Sequence, residues 1–230
     1  MSDFNHVIHS IKRVPKDLVE AMRALPTATI SEAYGSKGAL FHHIKPIRTD
    51  MKLCGSVIPV KARPGDNLLA HKAIYVARPG DVLLIDTCSF VEGGFWGGIM
   101  TEAARKQGIE GLVTDGAVRD TEEIAAMGFP IFCQAISIKG TTKTSLGTIN
   151  HPIHFGGIAI HPGDLIVGDA DGIVVIARSD VSEVLEKAKE REEKERKICK
   201  QISAGKTTLE IYGFTEILKR EGMKEEEVLK

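Results

Sequence analysis

The spacing of hydrophobic positions changes several times along the chain, and those changes mark its organisation. Between Pro15 and Leu25 they fall at Leu18, Val19, Met22 and Leu25, a helical spacing, and Thr29-Ile-Ser-Glu-Ala-Tyr reads as a second helix behind a hydroxyl cap. From Lys52 the pattern turns to short apolar runs: Ser56-Val-Ile-Pro-Val-Lys, Asp81-Val-Leu-Leu-Ile-Asp86 and Gly111-Leu-Val-Thr114 predict buried strands. Between the first two, Leu68 to Val76 has helical spacing; between the second and third, Ile99, Met100, Ala103 and Ala104 give the apolar side of a helix ending near Gly108. After Phe129-Pro-Ile-Phe-Cys the chain is β-rich, with Ile136-Ser-Ile-Lys, Ile153-His-Phe, Gly157-Ile-Ala-Ile, Leu165-Ile-Val and Ile173-Val-Val-Ile-Ala. From Asp180 one long helix is expected to about Ile202, its middle a solvated face of intrahelical ion pairs from Glu190 to Arg196. The chain is therefore expected to divide into one domain over 1–179 and a helical extension over 180–230.

Pro-Gly-Asp occurs three times, at Pro64, Pro79 and Pro162. Proline fixes φ and glycine admits positive φ, so these are expected to be tight turns that punctuate the fold and carry no chemistry. The stretch that organises the rest is Gly111-Leu-Val-Thr-Asp-Gly-Ala-Val-Arg-Asp120. Its strand is expected to end at Asp115-Gly116, after which Arg119 and Asp120 stand side by side before the helix opening at Thr121-Glu-Glu-Ile. A guanidinium there suits a substrate carboxylate, and a carboxylate there suits a hard metal ion. The same residues also fit a capping box, with Asp120 as cap and Glu123 as its reciprocal partner. Glu92-Gly-Gly-Phe-Trp-Gly-Gly98 reads as a glycine-dense loop feeding a helix N-terminus, whose free amides form an anion seat. If the strands before these two stretches are neighbours, Gly97, Gly98, Ile99 and Met100 emerge beside Arg119 and Asp120.

Composition narrows the partners. A formal net charge of -1 over 230 residues gives no field for nucleic acid or an anionic membrane, and 5% aromatic content argues against a base-stacking surface. The four cysteines form no Cys-x-x-Cys pair and read as reduced, buried small hydrophobes. Neither a signal peptide nor a membrane-spanning run is visible, so the expected location is cytoplasmic. Three other signals are weak. Gly205-Lys206-Thr207 lacks the partner glycine of a phosphate loop, the Gly93–Gly98 stretch fits no dinucleotide fingerprint, and His151 and His154 lie on an extended segment that points them apart.

The ordered set of motifs is more specific than any single one. Gly80-Asp-Val, Gly97-Gly-Ile-Met, Gly108-x-x-Gly-Leu-Val-x-Asp-Gly-x-Val-Arg119-Asp120, Phe129-Pro-Ile-Phe, Gly156-Gly and Pro162-Gly-Asp-x-Ile-Val-x-x-Asp-x-Asp-Gly span roughly residues 50 to 215. In this set the chain resembles the family of regulator of ribonuclease activity A and the class II pyruvate aldolases, which cleave 4-hydroxy-4-methyl-2-oxoglutarate and 4-carboxy-4-hydroxy-2-oxoadipate. The resemblance implies an RraA-like α/β sandwich with a central β core of the swivelling phosphohistidine-domain type, assembled as a homotrimer or homohexamer. It implies that Arg119 binds the carboxylate of the pyruvyl moiety, that Asp120 anchors Mg2+ or Mn2+, and that the amides of Gly97 to Met100 complete the seat. It further implies that a glutamate of the long C-terminal helix, packed on a neighbouring subunit, reaches the site; Glu195 is the best positional match, with Glu192 an alternative. The activity implied is metal-dependent cleavage of a 4-hydroxy-2-oxo acid to pyruvate, with oxaloacetate decarboxylation. Alternatives are a lyase acting on an unrelated oxo acid, or a non-catalytic regulator that binds protein. Gly98 departs from the aldolase pattern, which commonly has an acidic residue there implicated in proton delivery; Glu92 and Asp86 are the candidates to replace it.

Overall fold

The computed structural model describes residues 5–225. Leu53–Lys61, Asp81–Asp86, Gly111–Thr114 and Ile131–Cys133 lie side by side in that order, all parallel. A parallel pair requires a crossover, and each is one short helix: Leu68–Ile74, Gly98–Lys106 and Thr121–Met127. Burial on both faces explains the uninterrupted apolar runs. Leu83 and Ile85 pack with Ala70, Ile74, Met100, Ala104 and Ile124 of the crossover helices. Val82 and Leu84, alternating with them, pack with Ile153, Phe155, Ile160 and Ile166 on the opposite side. Leu165–Gly168 joins antiparallel to Leu53–Lys61 and pairs with Ile173–Ile176. With three short strands, His6–Val7, Lys45–Pro46 and Thr148–Ile149, the sheet has nine strands among the described residues.

The helices Lys16–Arg23 and Thr27–Ala33 cover part of this sheet through Val19, Met22 and Ile30. The second starts ahead of the expected hydroxyl cap, and no side chain caps it; the Thr27 amide and hydroxyl instead donate to Asp169 at 3.0 and 2.5 Å. The C-terminal helix is Val181–Ser203. Its first residues, Val181, Val184 and Leu185, are buried against Leu165 and Val174, so the α/β unit continues to Ala188, past the boundary expected at 179. A second unit starts at Lys189 and contains the helices Thr208–Tyr212 and Phe214–Arg220. There Thr207 is the hydroxyl of a capping box with Glu210, which accounts for the residue that had suggested a phosphate loop. Cys54 and Cys133 are buried, whereas Cys88 and Cys199 are exposed, and all four are free. No helix among the described residues is long and apolar enough to cross a membrane.

Three of the parallel strands do not end where the sequence pattern ends. After a break at 87–93, at Asp115-Gly116 and at Gln134, each resumes as Gly94–Trp96, Ala117–Val118 and Ala135–Ile136, which form a second, three-stranded parallel sheet. Part of the expected glycine loop is therefore a strand, with Phe95 and Trp96 buried. Glycine density concealed it, because glycine disfavours strands and the segment owes its extended form to pairing with Ala117–Val118.

Candidate active site

The second sheet ends at the two stretches singled out in the sequence. Gly97 precedes the Gly98–Lys106 helix, and Arg119 and Asp120 follow Ala117–Val118, whose neighbour in the sheet is Gly94–Trp96. The Arg119 amide donates to the Trp96 carbonyl at 2.9 Å, which ties the two strand ends together. Trp96 is fully buried and donates from Nε1 to Thr101 Oγ1 at 2.8 Å, while Thr101 Oγ1 donates to the Gly97 carbonyl at 3.1 Å. The first turn of the helix is thus fixed from below. At its start the Gly98 amide donates to Asp120 Oδ2 at 3.0 Å, and the amides of Ile99 and Met100 have no partner among the described residues.

Asp120 occupies the N-cap position of the Thr121–Met127 helix, its carbonyl accepting from the Ile124 amide at 3.0 Å, but its side chain does not cap the helix. The residue has φ 57° and ψ 36°, the left-handed conformation, and its side chain makes no capping hydrogen bond to its own helix. The left-handed backbone turns the carboxylate away from the amides of Thr121–Met127 and towards Gly98. A non-glycine residue held in this conformation marks a position that surrounding structure over-determines, a feature that clusters at functional sites. Arg119 Nε lies 3.6 Å from Asp120 Oδ2, and both side chains are half-exposed, at 44% and 41%. An ion pair that open to solvent contributes little to stability, so both groups remain available to a ligand. Close approach is what requires glycine at 97: a Cβ there would stand 2.5 Å from Asp120 Oδ2 and 3.1 Å from Arg119 Nε.

These groups line one side of a cavity of about 310 Å³. The other side, absent from the sequence reading, comprises Asn67, His71, Thr141 and Lys143. Asn67 Nδ2 donates to the Phe95 carbonyl at 2.9 Å, leaving its buried Oδ1 without a partner; the buried Thr141 Oγ1 is likewise unpaired. Burial, together with the Lys143 ammonium, pushes the His71 pKa down, which favours the neutral ring. Asn67 and His71 lie one helical turn apart, Thr141 and Lys143 two residues apart in a later segment, and the two pairs meet only through tertiary structure.

The first Pro-Gly-Asp turn holds that far side in place. Asp66 is buried and accepts from the amides of Leu68, Thr144 and Ser145 and from the Thr142 hydroxyl, at 2.7 to 3.1 Å. Burial alone would push its pKa up; these hydrogen bonds outweigh that and bring it down to about 2. The folded-state value thus lies below the ordinary 3.8, so the stability from Asp66 is fully present above pH 3.8 and is lost as the pH falls through about 2. Asp66→Ala is expected to cost about 1–3 kcal/mol in urea unfolding at neutral pH, and that difference is expected to shrink in acid. Asp81 and Asp164 of the other two turns are buried as well, Asp81 against Arg13 at 2.7 and 2.8 Å and Asp164 against the amides of His161 and Arg178. All three turns are tertiary latches as well as punctuation.

The two acids expected as replacements for one at position 98 are engaged elsewhere. Glu92 pairs with Lys139 at 2.6 Å, and Asp86 pairs with Lys61 at 2.5 Å. His151 approaches His6, with ring nitrogens 3.0 Å apart, while His154 lies on the strand Ile153–Phe155. Glu195 and Glu192 belong to the second unit, where Glu195 pairs with Arg191 at 3.0 Å and Glu192 with Arg196 at 3.8 Å. Among the described residues no group of three or more His, Cys, Asp or Glu side chains is arranged to hold a metal ion.

Comparison with known proteins places the chain in one family. A family profile described as "RraA-like: Aldolase/RraA" matches residues 27–175. A protein of Halalkalibacterium halodurans named "Putative 4-hydroxy-4-methyl-2-oxoglutarate aldolase" is 40% identical over 84% of this chain and 94% of its own length. Among solved structures, an uncharacterised protein from Pseudomonas syringae pv. tomato superposes with a TM-score of 0.80 at 28% identity, covering 90% of this chain and 97% of that one. The RNA-processing inhibitor RraA from Thermus thermophilis superposes with a TM-score of 0.61 at 27% identity, over 66% of this chain and 92% of the inhibitor.

Proposed function

Because the chain belongs to the RraA-like family, we propose that it is a lyase that cleaves a 4-hydroxy-2-oxo acid of the 4-hydroxy-4-methyl-2-oxoglutarate type to pyruvate, and decarboxylates oxaloacetate by the same enolate chemistry. The observation that carries this reading is the juxtaposition of Arg119, Asp120 and the unpartnered amides of Ile99 and Met100 at one side of the cavity. A 2-oxo acid offers a carboxylate to the guanidinium, where two parallel hydrogen bonds orient it. As the C3–C4 bond breaks, negative charge moves onto the 2-oxo oxygen, and preorganised amides and the guanidinium stabilise it there.

Asp120 fits a divalent cation, Mg2+ or Mn2+: a half-exposed carboxylate whose hydrogen bond from Gly98 leaves acceptor sites free. A cation held there would supply Lewis-acid stabilisation of the enolate. On the far side Lys143, Thr141 and Asn67 offer polar contacts to the substrate's remaining carboxylate and hydroxyl. Glu195 is the carboxylate we assign to a neighbouring copy's site in a homotrimer or homohexamer.

The test is pyruvate release from oxaloacetate and a panel of 4-hydroxy-2-oxo acids, with Mg2+ or Mn2+ and with excess chelator. Release from a 4-hydroxy acid that chelator abolishes is the expected result. Release from oxaloacetate alone would leave a decarboxylase, and none from a well-folded protein would favour the regulator reading. That second reading draws on the likeness to the Thermus inhibitor, a likeness that leaves about a third of this chain unmatched.

A further inference from the structure

A second acidic group stands at the first turn of the Gly98–Lys106 helix, outside the Arg119–Asp120 pair. Glu123, on the Thr121–Met127 helix, brings its carboxylate against the backbone of Gly98. A Cβ at 98 would lie 2.5 Å from Oε2, 2.8 Å from Oε1 and 2.7 Å from the carboxyl carbon. The carboxylate thus fills the space that any other residue at 98 would claim, and glycine at 98 is what admits it. Glu123 is exposed and makes no hydrogen bond or ion pair among the described residues, whereas Glu92, Asp86 and Asp66 are all paired. Gly98 lines the cavity together with Asp120, so the unpaired carboxylate held against Gly98 stands at the margin of that cavity, where it can exchange a proton with a ligand directly or through water.

We infer that Glu123 is the proton-transfer group of this site, acting on the substrate directly or through one water, and that Gly98 and Glu123 work as a pair. The inference rests on the lyase reading above. In carbon–carbon cleavage the carboxylate takes the proton of the 4-hydroxyl, the C3–C4 bond breaks as the C4 carbonyl forms, and its electron pair passes into the enolate. Glu123 then returns the proton to C3, which completes the methyl group of pyruvate and restores the carboxylate. In decarboxylation only the second transfer is needed, with the proton drawn from solvent.

The experiment is exchange of the pyruvate C3 protons in D2O, followed by proton NMR with Mg2+, on the full-length protein. Glu123→Gln is expected to lower exchange about 100-fold. Gly98→Ala, whose methyl group displaces the Glu123 carboxylate, is expected to lower it to a similar degree. The double variant is expected to fall no more than about threefold below either single one, because both remove the same interaction. Mn2+ affinity, read by electron paramagnetic resonance, is expected to stay within about twofold in Glu123→Gln. A merely structural role would move folding and metal affinity along with exchange.

Wild-type exchange in Glu123→Gln overturns the inference and leaves the lyase reading standing. So does a tenfold loss of Mn2+ affinity, which would make Glu123 part of the metal site, and so does wild-type cleavage without C3 exchange. A wild-type protein that neither exchanges pyruvate nor cleaves any oxo acid overturns the lyase reading itself, and this inference with it.

Discussion

Asp120→Asn is expected to lower metal-dependent pyruvate release at least about 10³-fold while leaving the protein folded. Asparagine is the informative replacement because of the backbone. Asp120 sits at φ 57°, where an alanine would be strained by about 1–2 kcal/mol, whereas asparagine tolerates that conformation about as well as aspartate does. The amide oxygen can still accept the Gly98 hydrogen bond of 3.0 Å, so Asn removes the charge and keeps the shape. A melting temperature within about 4 °C of wild type, measured beside the activity assay, would tie the loss to the missing charge. Turnover retained by Asp120→Asn would remove this carboxylate from the chemistry.

Arg119→Lys is the second large effect. Lysine keeps one positive charge but loses the planar fork that binds a carboxylate with two parallel hydrogen bonds. The expected outcome is a rise in KM and a fall in kcat of about tenfold each, with about 10³-fold lost from kcat/KM in Arg119→Ala. Both parameters move because the guanidinium holds the substrate carboxylate in the ground state and shares the oxo-oxygen charge as the enolate forms. The fold has little reason to respond. The side chain is 44% exposed, and the contact that anchors this residue, its amide to the Trp96 carbonyl at 2.9 Å, belongs to the backbone. A rise in KM alone would restrict Arg119 to binding.

The main sheet was legible because its strands are buried on both faces. Asp81–Asp86 and Gly111–Thr114 carry continuous apolar runs, and the helix between them, Gly98–Lys106, has the matching period. The second sheet was not legible. Ala117–Val118 and Ala135–Ile136 are two residues each, too short for any period, and Gly94–Trp96 is flanked by glycine. At the candidate site, Arg119 and Asp120 stood out because they are adjacent in sequence. The capping-box reading of Asp120 failed because spacing carries no record of a left-handed φ. Glu123 was visible only as the other half of that box; its contact with Gly98 depends on how two helices meet. Asn67 and His71 come from one segment and Thr141 and Lys143 from another, and the two are held together partly by the buried carboxylate of Asp66.

The stepped strands divide the labour of the chain. Residues before each step build the nine-stranded sheet and its packed faces; residues after it, from Gly94, Ala117 and Ala135 onward, carry the chemistry-bearing edge on a sheet of their own. Exposed positions past the steps, Arg119 and Asp120 among them, can therefore change without disturbing the packing that specifies the fold, whereas Phe95, Trp96 and Val118 belong to the core. Natural selection acting on such a scaffold can retune or erase a reaction while conserving the architecture. A lineage built this way is free to hold proteins named for aldol cleavage beside one named for inhibiting RNA processing.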